Sequence, residues 1–268
     1  MTTPPATLAD SHRRFDLLGV HISAVTFDAA VAMIGEWGRK GIRTYVNACP
    51  VDVIVRCHDS PELTRIVNCS GLVMADGMPV VWIGRLLGWN VERGYGPDLM
   101  LEVCRLYRRA GDTPGFRHFL YGGTSDILEK LETNLERRFP GIEIVGRYAP
   151  PFRPLTKDED EGVVRLINEA HATVVWCGLG TPKQIYWMAE HREFLTTPVL
   201  IGVGAAFNFH AGVVRQAPRW MMRVGLEWLF RLAVEPRRLW KRYLVGNTRF
   251  VLLVLGQWIR GRLLRKSL

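Results

Sequence analysis

The sequence has little that would suit a secreted, membrane-spanning or disulfide-stabilised protein. Its five cysteines are an odd number without a CxxC pair, which indicates neither a disulfide framework nor a zinc site. No stretch approaches about 18 uninterrupted apolar residues, and the N-terminal residues lack the apolar core of a signal peptide. We therefore expect a protein of a reducing, cytoplasmic compartment that does not cross the membrane.

Generic nucleotide and metal motifs are also missing. There is no P-loop and no GxGxxG pattern with a downstream acidic residue, which disfavours, without excluding, a dinucleotide-dependent oxidoreductase. The seven histidines contain no pair with the spacing of metal ligands. We expect no metal site and no cofactor.

The charge is distributed unevenly along a chain of ordinary globular composition. Hydrophobic residues make up 48% and charged residues 23% of the 268 residues. Residues 1–214 hold 22 basic and 24 acidic residues, whereas residues 215–268 hold 13 basic residues, two acidic residues and four of the nine tryptophans. This asymmetry predicts a near-neutral α/β catalytic domain over residues 1–214 and a basic, Trp-rich helical appendage over residues 215–268.

Short β-branched or aromatic runs alternate with longer helical patterns in the first part of the chain. Such alternation is typical of a Rossmann-like, mostly parallel sheet with helices on both faces. Helix starts are indicated at Pro50, which suits a first helical position, and at Ser60, which suits an N-cap. The six predicted strands are residues 42–46, 72–75, 117–121, 142–145, 173–177 and 199–203.

Ligands of open α/β sheets bind beyond the carboxyl ends of the strands, where Asp76 follows the predicted strand 72–75. A carboxylate that projects into this crevice beside apolar neighbours would have a raised pKa and could accept a proton from an attacking hydroxyl. Alternatively, Asp76 caps the helix that starts near Pro79. Local sequence leaves both interpretations open.

A second candidate segment follows the predicted strand 173–177. Gly178 and Gly180 supply flexible backbone, Thr181 suits an N-cap and Pro182 suits the first helical turn. The N–H groups and dipole of such a helix start favour a diphosphate, although an ordinary strand-to-helix turn has the same pattern.

Twelve segments, taken in order, resemble the WecG/TagA/CpsF glycosyltransferases, glycosyltransferase family 26. The asparagine of the first segment, Asn47, follows the first predicted strand of the sheet. The segments are YVN at 45–47, ADG at 75–77, ER at 92–93, GPDL at 96–99, LYGG at 120–123, FPG at 139–141, GLGTPKQ at 178–184, GVGAAF at 202–207, AG at 211–212, APRW at 217–220, LEWLFRL at 226–232 and EPRR at 235–238.

The resemblance implies an inverting, metal-independent glycosyltransferase of bacterial surface polysaccharide or wall polymer biosynthesis. It would move a sugar from a UDP-sugar to a polyprenyl diphosphate-linked saccharide, with Asp76 as the catalytic base. The positions that the resemblance assigns to the donor or its UDP are Asn47, Arg93, Gly178, Gly180, Gln184 and Asn208. The positions that it assigns to the acceptor diphosphate are Arg231, Arg238 and Lys241.

Charged residues recur every four positions at the start of the appendage, at Arg219, Arg223, Glu227, Arg231 and Glu235. This spacing predicts one helix with an ion pair between Glu227 and Arg231.

Basic residues surround tryptophans and apolar residues farther along the appendage, as in helices that lie on anionic membranes. A solvated basic face does not explain the tryptophans, and no nucleic-acid motif accompanies the Arg and Trp residues that would suit nucleic acid. We therefore expect a peripheral protein on the inner face of the cell membrane that binds no nucleic acid. A non-catalytic membrane-surface adaptor and a homo-oligomer formed through the apolar faces remain open. The basic residues are Arg237, Arg238, Lys241, Arg242, Arg260, Arg262, Arg265 and Lys266.

Overall fold

The computed structural model describes residues 12–266 of the chain, apart from the side chains of residues 260 and 262–266. The predicted basic contacts at Arg260, Arg262, Arg265 and Lys266 therefore lie outside the described side chains. The predicted absence of a signal peptide concerns residues that also lie mostly outside the described part.

A six-stranded sheet forms the centre of the fold, and every pairing in it is parallel. The strand order is β4-β3-β8-β7-β5-β6. The prediction of an α/β fold with a parallel sheet is confirmed, and each predicted strand overlaps an observed one. The strands are β3 Thr44–Cys49, β4 Leu72–Ala75, β5 Arg117–Tyr121, β6 Glu143–Tyr148, β7 Val174–Cys177 and β8 Val199–Gly202.

Helices cover both faces of this sheet, so strands such as β4, β7 and β8 are buried on both sides. In β7, Val174 and Trp176 pack into one core cluster, whereas Val175 and Cys177 pack into another. The prediction for Ser60 is confirmed, since its side chain accepts a hydrogen bond from the Leu63 amide. The helices up to residue 210 are α1 Phe27–Lys40, α2 Val51–Asp59, α3 Pro61–Asn68, α4 Met78–Leu86, α5 Gly96–Leu106, α6 Ser125–Arg138, α7 Lys157–Glu169, α8 Lys183–His191 and α9 Ala206–His210.

An antiparallel hairpin of β1 Arg14–Leu17 and β2 Val20–Ser23 precedes the sheet, and the sequence patterns did not predict it. Each strand has only four residues, which is too short for a strong alternating signal. The hairpin packs on the sheet, where the Ser23 hydroxyl accepts a hydrogen bond of 3.0 Å from the Val73 amide.

The first strand of the sheet ends later than its sequence pattern indicates. β3 continues to Cys49, so Asn47 lies within the strand, opposite Gly202 and Val73, rather than after it. The predicted position of Asn47 beyond the strand end is therefore wrong. Polar residues near a strand end can remain in the strand when parallel neighbours on both sides bond to its backbone.

The single helix predicted over residues 219–235 is also wrong, because the appendage is a series of shorter helices. Gly225 separates the first two of them with a φ of 76°, which glycine adopts readily, and a Cβ there would lie 2.8 Å from the Trp82 ring. The elements are α10 Arg219–Arg223, α11 Glu227–Val234, α12 Pro236–Trp240, a π-helical turn Lys241–Val245 and α13 Gly246–Lys266.

The appendage packs against α2 and the hairpin. Arg249 forms two hydrogen bonds of 2.5 Å with Asp59 of α2, and Phe250 is buried in a core cluster of the preceding part of the fold, residues 12–214, hereafter the body. The Gln257 amide group donates a hydrogen bond of 2.6 Å to Asp16 of β1. In the part of the chain that the structure describes, no helix combines the length and apolarity needed to cross a membrane.

Candidate active site

A cavity of about 110 Å³ lies where the carboxyl ends of β3 and β4 meet the appendage. It joins strand-end residues of the body with side chains that come more than 130 positions later in the sequence. The residues from the body are Pro50, Val51, Asp52, Asp76, Gly77, Met78, Pro79, Arg93 and Tyr95, and those from the appendage are Met222, Gly225, Glu227, Trp228, Arg231, Arg242, Tyr243 and Asn247.

Asp76 occupies the end of β4, as the sequence predicts. Its amide donates a hydrogen bond to the Cys49 carbonyl, which keeps the chain in register with β3 for one residue beyond the strand. The next helix, α4, begins at Met78 with Gly77 at the cap position and no side-chain cap, so the alternative in which Asp76 caps this helix is wrong. The carboxyl group therefore remains available to the cavity.

Burial raises the pKa of the Asp76 carboxyl from its ordinary value to about 6. The negative charge of Glu227 raises this pKa further, whereas the positive charges of Arg93 and Arg242 lower it. A carboxylate with this pKa is mostly ionised at neutral pH, and it is a stronger base than an exposed aspartate.

Arg93 is held beside Asp76 by a close approach between its loop and β4. The Gly94 amide donates a hydrogen bond of 2.8 Å to the Ala75 carbonyl, and a Cβ at Gly94 would lie 2.5 Å from the Met74 Cβ. Only glycine fits there. The Arg93 Nη2 atom consequently lies 3.5 Å from the nearer Asp76 oxygen.

The closest partner of Arg93 is Glu227 of α11, which accepts a hydrogen bond from the same Nη2 atom. The predicted pairing of Glu227 with Arg231 is wrong: both residues lie in α11, but Glu227 is paired with Arg93 of the body instead. Sequence analysis missed Glu227 as a cavity residue. One feature of the sequence could have indicated it: Glu227 is one of only two acidic residues in the strongly basic segment 215–268.

The appendage brings one of the three predicted acceptor-binding residues to the cavity. Arg231 lines it, with the guanidinium 5.7 Å from the centre of the Phe209 ring. Arg238 is exposed and paired with Glu235 at 2.5 Å, and Lys241 is exposed beside the Trp240 ring, so neither lines the cavity. Arg242, predicted only as a membrane contact, lines it instead.

The other residues predicted to bind the donor do not line this cavity. Asn47 is 1% exposed and donates a hydrogen bond of 2.7 Å to the Ser70 hydroxyl. Gln184 is 2% exposed, and its side-chain oxygen accepts a hydrogen bond of 3.0 Å from the Gly204 amide. Both side chains are thus buried and hydrogen-bonded within the protein, Asn47 on β3 and Gln184 on α8.

Gly178, Gly180 and Asn208 lie near the carboxyl ends of β7 and β8, along the same edge of the sheet as Asp76. The Asn208 carbonyl accepts hydrogen bonds from the amides of Val213 and Val214. A ligand that extends from the cavity along this edge would pass these residues.

The predicted N-cap at Thr181 is wrong. Helix α8 begins at Lys183, so Pro182 takes the cap position, and no side chain caps the helix. The Gln184 amide already donates to the Gly180 carbonyl at 2.9 Å, which leaves fewer amides for an anion than the sequence pattern indicates.

Three arginines, Arg93, Arg231 and Arg242, provide the positive charge of the cavity. Among the residues described, no three His, Cys, Asp or Glu side chains form a group that could hold a metal ion. Guanidinium groups can hold phosphate oxygens through two parallel hydrogen bonds.

A parallel α/β sheet with a partly buried carboxylate and arginines at its carboxyl edge defines an α/β enzyme with a candidate base for group transfer. The model of the glycosyl transferase WecG/TagA/CpsF family matches residues 15–263, so the chain belongs to this family and is a glycosyltransferase. The resemblance found in the sequence is confirmed, and of the three functions left open, the glycosyltransferase is the correct one.

Two curated relatives have the same name, N-acetylglucosaminyldiphosphoundecaprenol N-acetyl-beta-D-mannosaminyltransferase. The relative from Bacillus spizizenii is 30% identical over 186 residues, which cover 69% of this chain and 68% of that protein. The relative from Bacillus subtilis is 30% identical over 180 residues, which cover 67% of this chain and 66% of that protein.

Proposed function

We propose that the protein is an inverting, metal-independent glycosyltransferase that moves a sugar from a UDP-sugar to a polyprenyl diphosphate-linked saccharide. The names of the relatives support N-acetylglucosamine linked to undecaprenyl diphosphate as the acceptor. The observation that carries the proposal is the partly buried Asp76, whose pKa is raised to about 6, in a cavity lined by three arginines.

In the proposed reaction, Asp76 takes the proton of the acceptor hydroxyl while that oxygen attacks the anomeric carbon of the donor. The bond between the anomeric carbon and the diphosphate breaks on the opposite face, so the configuration inverts and UDP leaves. Arg231 and Arg242 neutralise the charge that develops on phosphate oxygens, which is the task of a divalent cation in metal-dependent enzymes.

The donor extends beyond the cavity in this proposal. A volume of about 110 Å³ is below the roughly 300–1,000 Å³ of typical ligand pockets, so it suits only the reacting groups. The nucleotide would then lie along the carboxyl edge of the sheet, over Gly178, Gly180 and Asn208. Asn47 and Gln184 would support this edge through their buried hydrogen bonds to Ser70 and Gly204.

The appendage attaches the enzyme to the anionic inner face of the membrane, where a lipid-linked acceptor resides. Helix α13 exposes apolar side chains at spacings that place them on one side, including Leu252 at 64% and Leu255 at 49% exposure. The exposed basic side chains of Arg238 and Lys241 precede it. Apolar and basic groups together bind anionic lipid surfaces reversibly.

The test is transfer by Asp76→Asn, with a short-chain polyprenyl diphosphate-linked N-acetylglucosamine as the acceptor and a panel of UDP-sugars as donors. We expect transfer to fall by at least about 100-fold, because the general base is lost, while UDP binding measured by calorimetry stays nearly intact. Asp126→Asn is the matched control, since Asp126 is exposed on α6 and pairs with Lys130. Full transfer by Asp76→Asn would remove Asp76 from the mechanism.

A further inference from the structure

Arg93 is shared between two carboxylates that come from different parts of the chain. Its Nη2 atom lies 3.5 Å from Asp76 and closer to Glu227, and the three side chains are 17%, 20% and 14% exposed, respectively. Burial raises the pKa of the neighbouring Tyr95 hydroxyl, and the negative charge of Glu227 raises this pKa further. The Arg93 guanidinium lies over the Tyr95 ring at 4.2 Å, so this cluster holds both Arg93 and Glu227 in place.

This arrangement affects the basicity of Asp76, the proposed catalytic base. A carboxylate in a tight ion pair with arginine loses basicity, since the nearby positive charge lowers its pKa by about 1–3 units. Arg93 is the cation that contacts Asp76. Its loop is hydrogen-bonded to β4 through the Gly94 amide, which keeps Arg93 near Asp76. A competing acceptor is needed to keep the guanidinium at a distance from Asp76.

We propose that Glu227 is a positioning residue that draws the Arg93 guanidinium away from Asp76 and so keeps Asp76 free to accept the proton of the acceptor hydroxyl. This inference rests on the proposed role of Asp76 as the base. Glu227 lies in the first turn of α11, in the appendage, so the base is fully competent only when the appendage is seated on the body. The appendage would thereby link lipid-surface attachment to chemistry.

Charged and titratable groups on every element around the cavity contribute to the environment of Asp76. Glu227 is the carboxylate whose charge raises the Asp76 pKa, while Arg93 and Arg242 lower it. Asp52 of α2 pairs with Arg242 at 2.5 Å and moderates its charge. Besides Glu227, these groups are Asp52, Arg93, Tyr95, Arg231, Arg242 and Tyr243.

The experiment is the pH profile of kcat/KM for Glu227→Gln. Loss of the Glu227 charge lowers the Asp76 pKa directly, and release of Arg93 toward Asp76 lowers it again. We therefore expect the acidic limb to move to lower pH by about 1 unit. The plateau kcat should fall roughly three- to tenfold because Asp76 becomes a weaker base, with little change in the donor KM.

Two further variants make the test specific. Glu227→Asp keeps the charge but shortens the reach to Arg93, so its acidic limb should lie between those of the wild type and Glu227→Gln. Glu102→Gln removes a carboxylate that pairs with Arg105 outside the cavity and should leave the profile unchanged.

An acidic limb that stays in place while activity falls would reduce Glu227 to a structural contact and overturn the inference. If Glu227→Gln does not fold, an unmoved limb in Glu227→Asp has the same meaning. Abolished transfer in Glu227→Gln together with an active Asp76→Asn would make Glu227 the base and overturn both proposals. An unmoved limb with an inactive Asp76→Asn would overturn this inference alone.

Discussion

The burial of Asp76 predicts a steep loss of activity under mildly acidic conditions. The carboxyl must be ionised to accept a proton, and its pKa is raised to about 6, so the active fraction falls as the pH falls through this value. Between pH 7 and pH 5 we expect kcat/KM to decrease about tenfold. An ordinary aspartate with a pKa of ~3.9 would lose less than about a tenth of its activity over this interval.

The assay measures initial transfer rates at subsaturating donor between pH 4.5 and 8.5, at constant ionic strength. Circular dichroism at each pH separates loss of the base from unfolding. The residual activity of Asp76→Asn is the control, and it should show no limb near pH 6. A flat wild-type profile down to pH 5, or the same limb in Asp76→Asn, would refute the assignment of this limb to Asp76.

Two further predictions concern packing and membrane attachment. Gly94→Ala should lower the free energy of unfolding by about 1–3 kcal/mol, because the new Cβ meets buried Met74 at 2.5 Å. Urea unfolding measures this, with Gly162→Ala as the control, since the new methyl group there meets only the far end of a flexible side chain at 3.9 Å. Equal stabilities for the two variants would contradict the close approach beside Asp76. The double variant Leu252→Ser/Leu255→Ser should bind anionic vesicles roughly 10-fold or more weakly, because two exposed apolar side chains no longer enter the lipid. Vesicle flotation measures binding, and unchanged flotation with a smaller oligomeric mass would assign this face to contacts between copies.

The pattern of short apolar runs was sufficient to predict the parallel sheet and the place of Asp76. Residues of a strand buried on both faces are mostly apolar wherever the strand lies in the sheet, so the apolar run 72–75 by itself predicts a strand. The change from that run to a carboxylate and a glycine marks the strand end. The order of the motifs was likewise sufficient to indicate the family.

Predictions from local sequence patterns were wrong where contacts with distant segments determine the backbone conformation. Asn47 belongs to a strand because β4 and β8 bond to its backbone on either side, although its polar side chain suggests a strand end. The appendage has the four-residue spacing of one helix, yet Gly225 breaks it where the chain must pass close to Trp82.

The sequence by itself determined the layers of the fold, the family and the position of the candidate base, because each depends on residues adjacent along the chain. Only the tertiary structure decided the partners of that base. Arg93 and Glu227 are 134 positions apart, and they meet because the appendage folds back over the ends of β3 and β4. A charged side chain pairs with whichever opposite charge the packing brings within reach, so Glu227 pairs with Arg93 rather than with Arg231 four residues along the same helix.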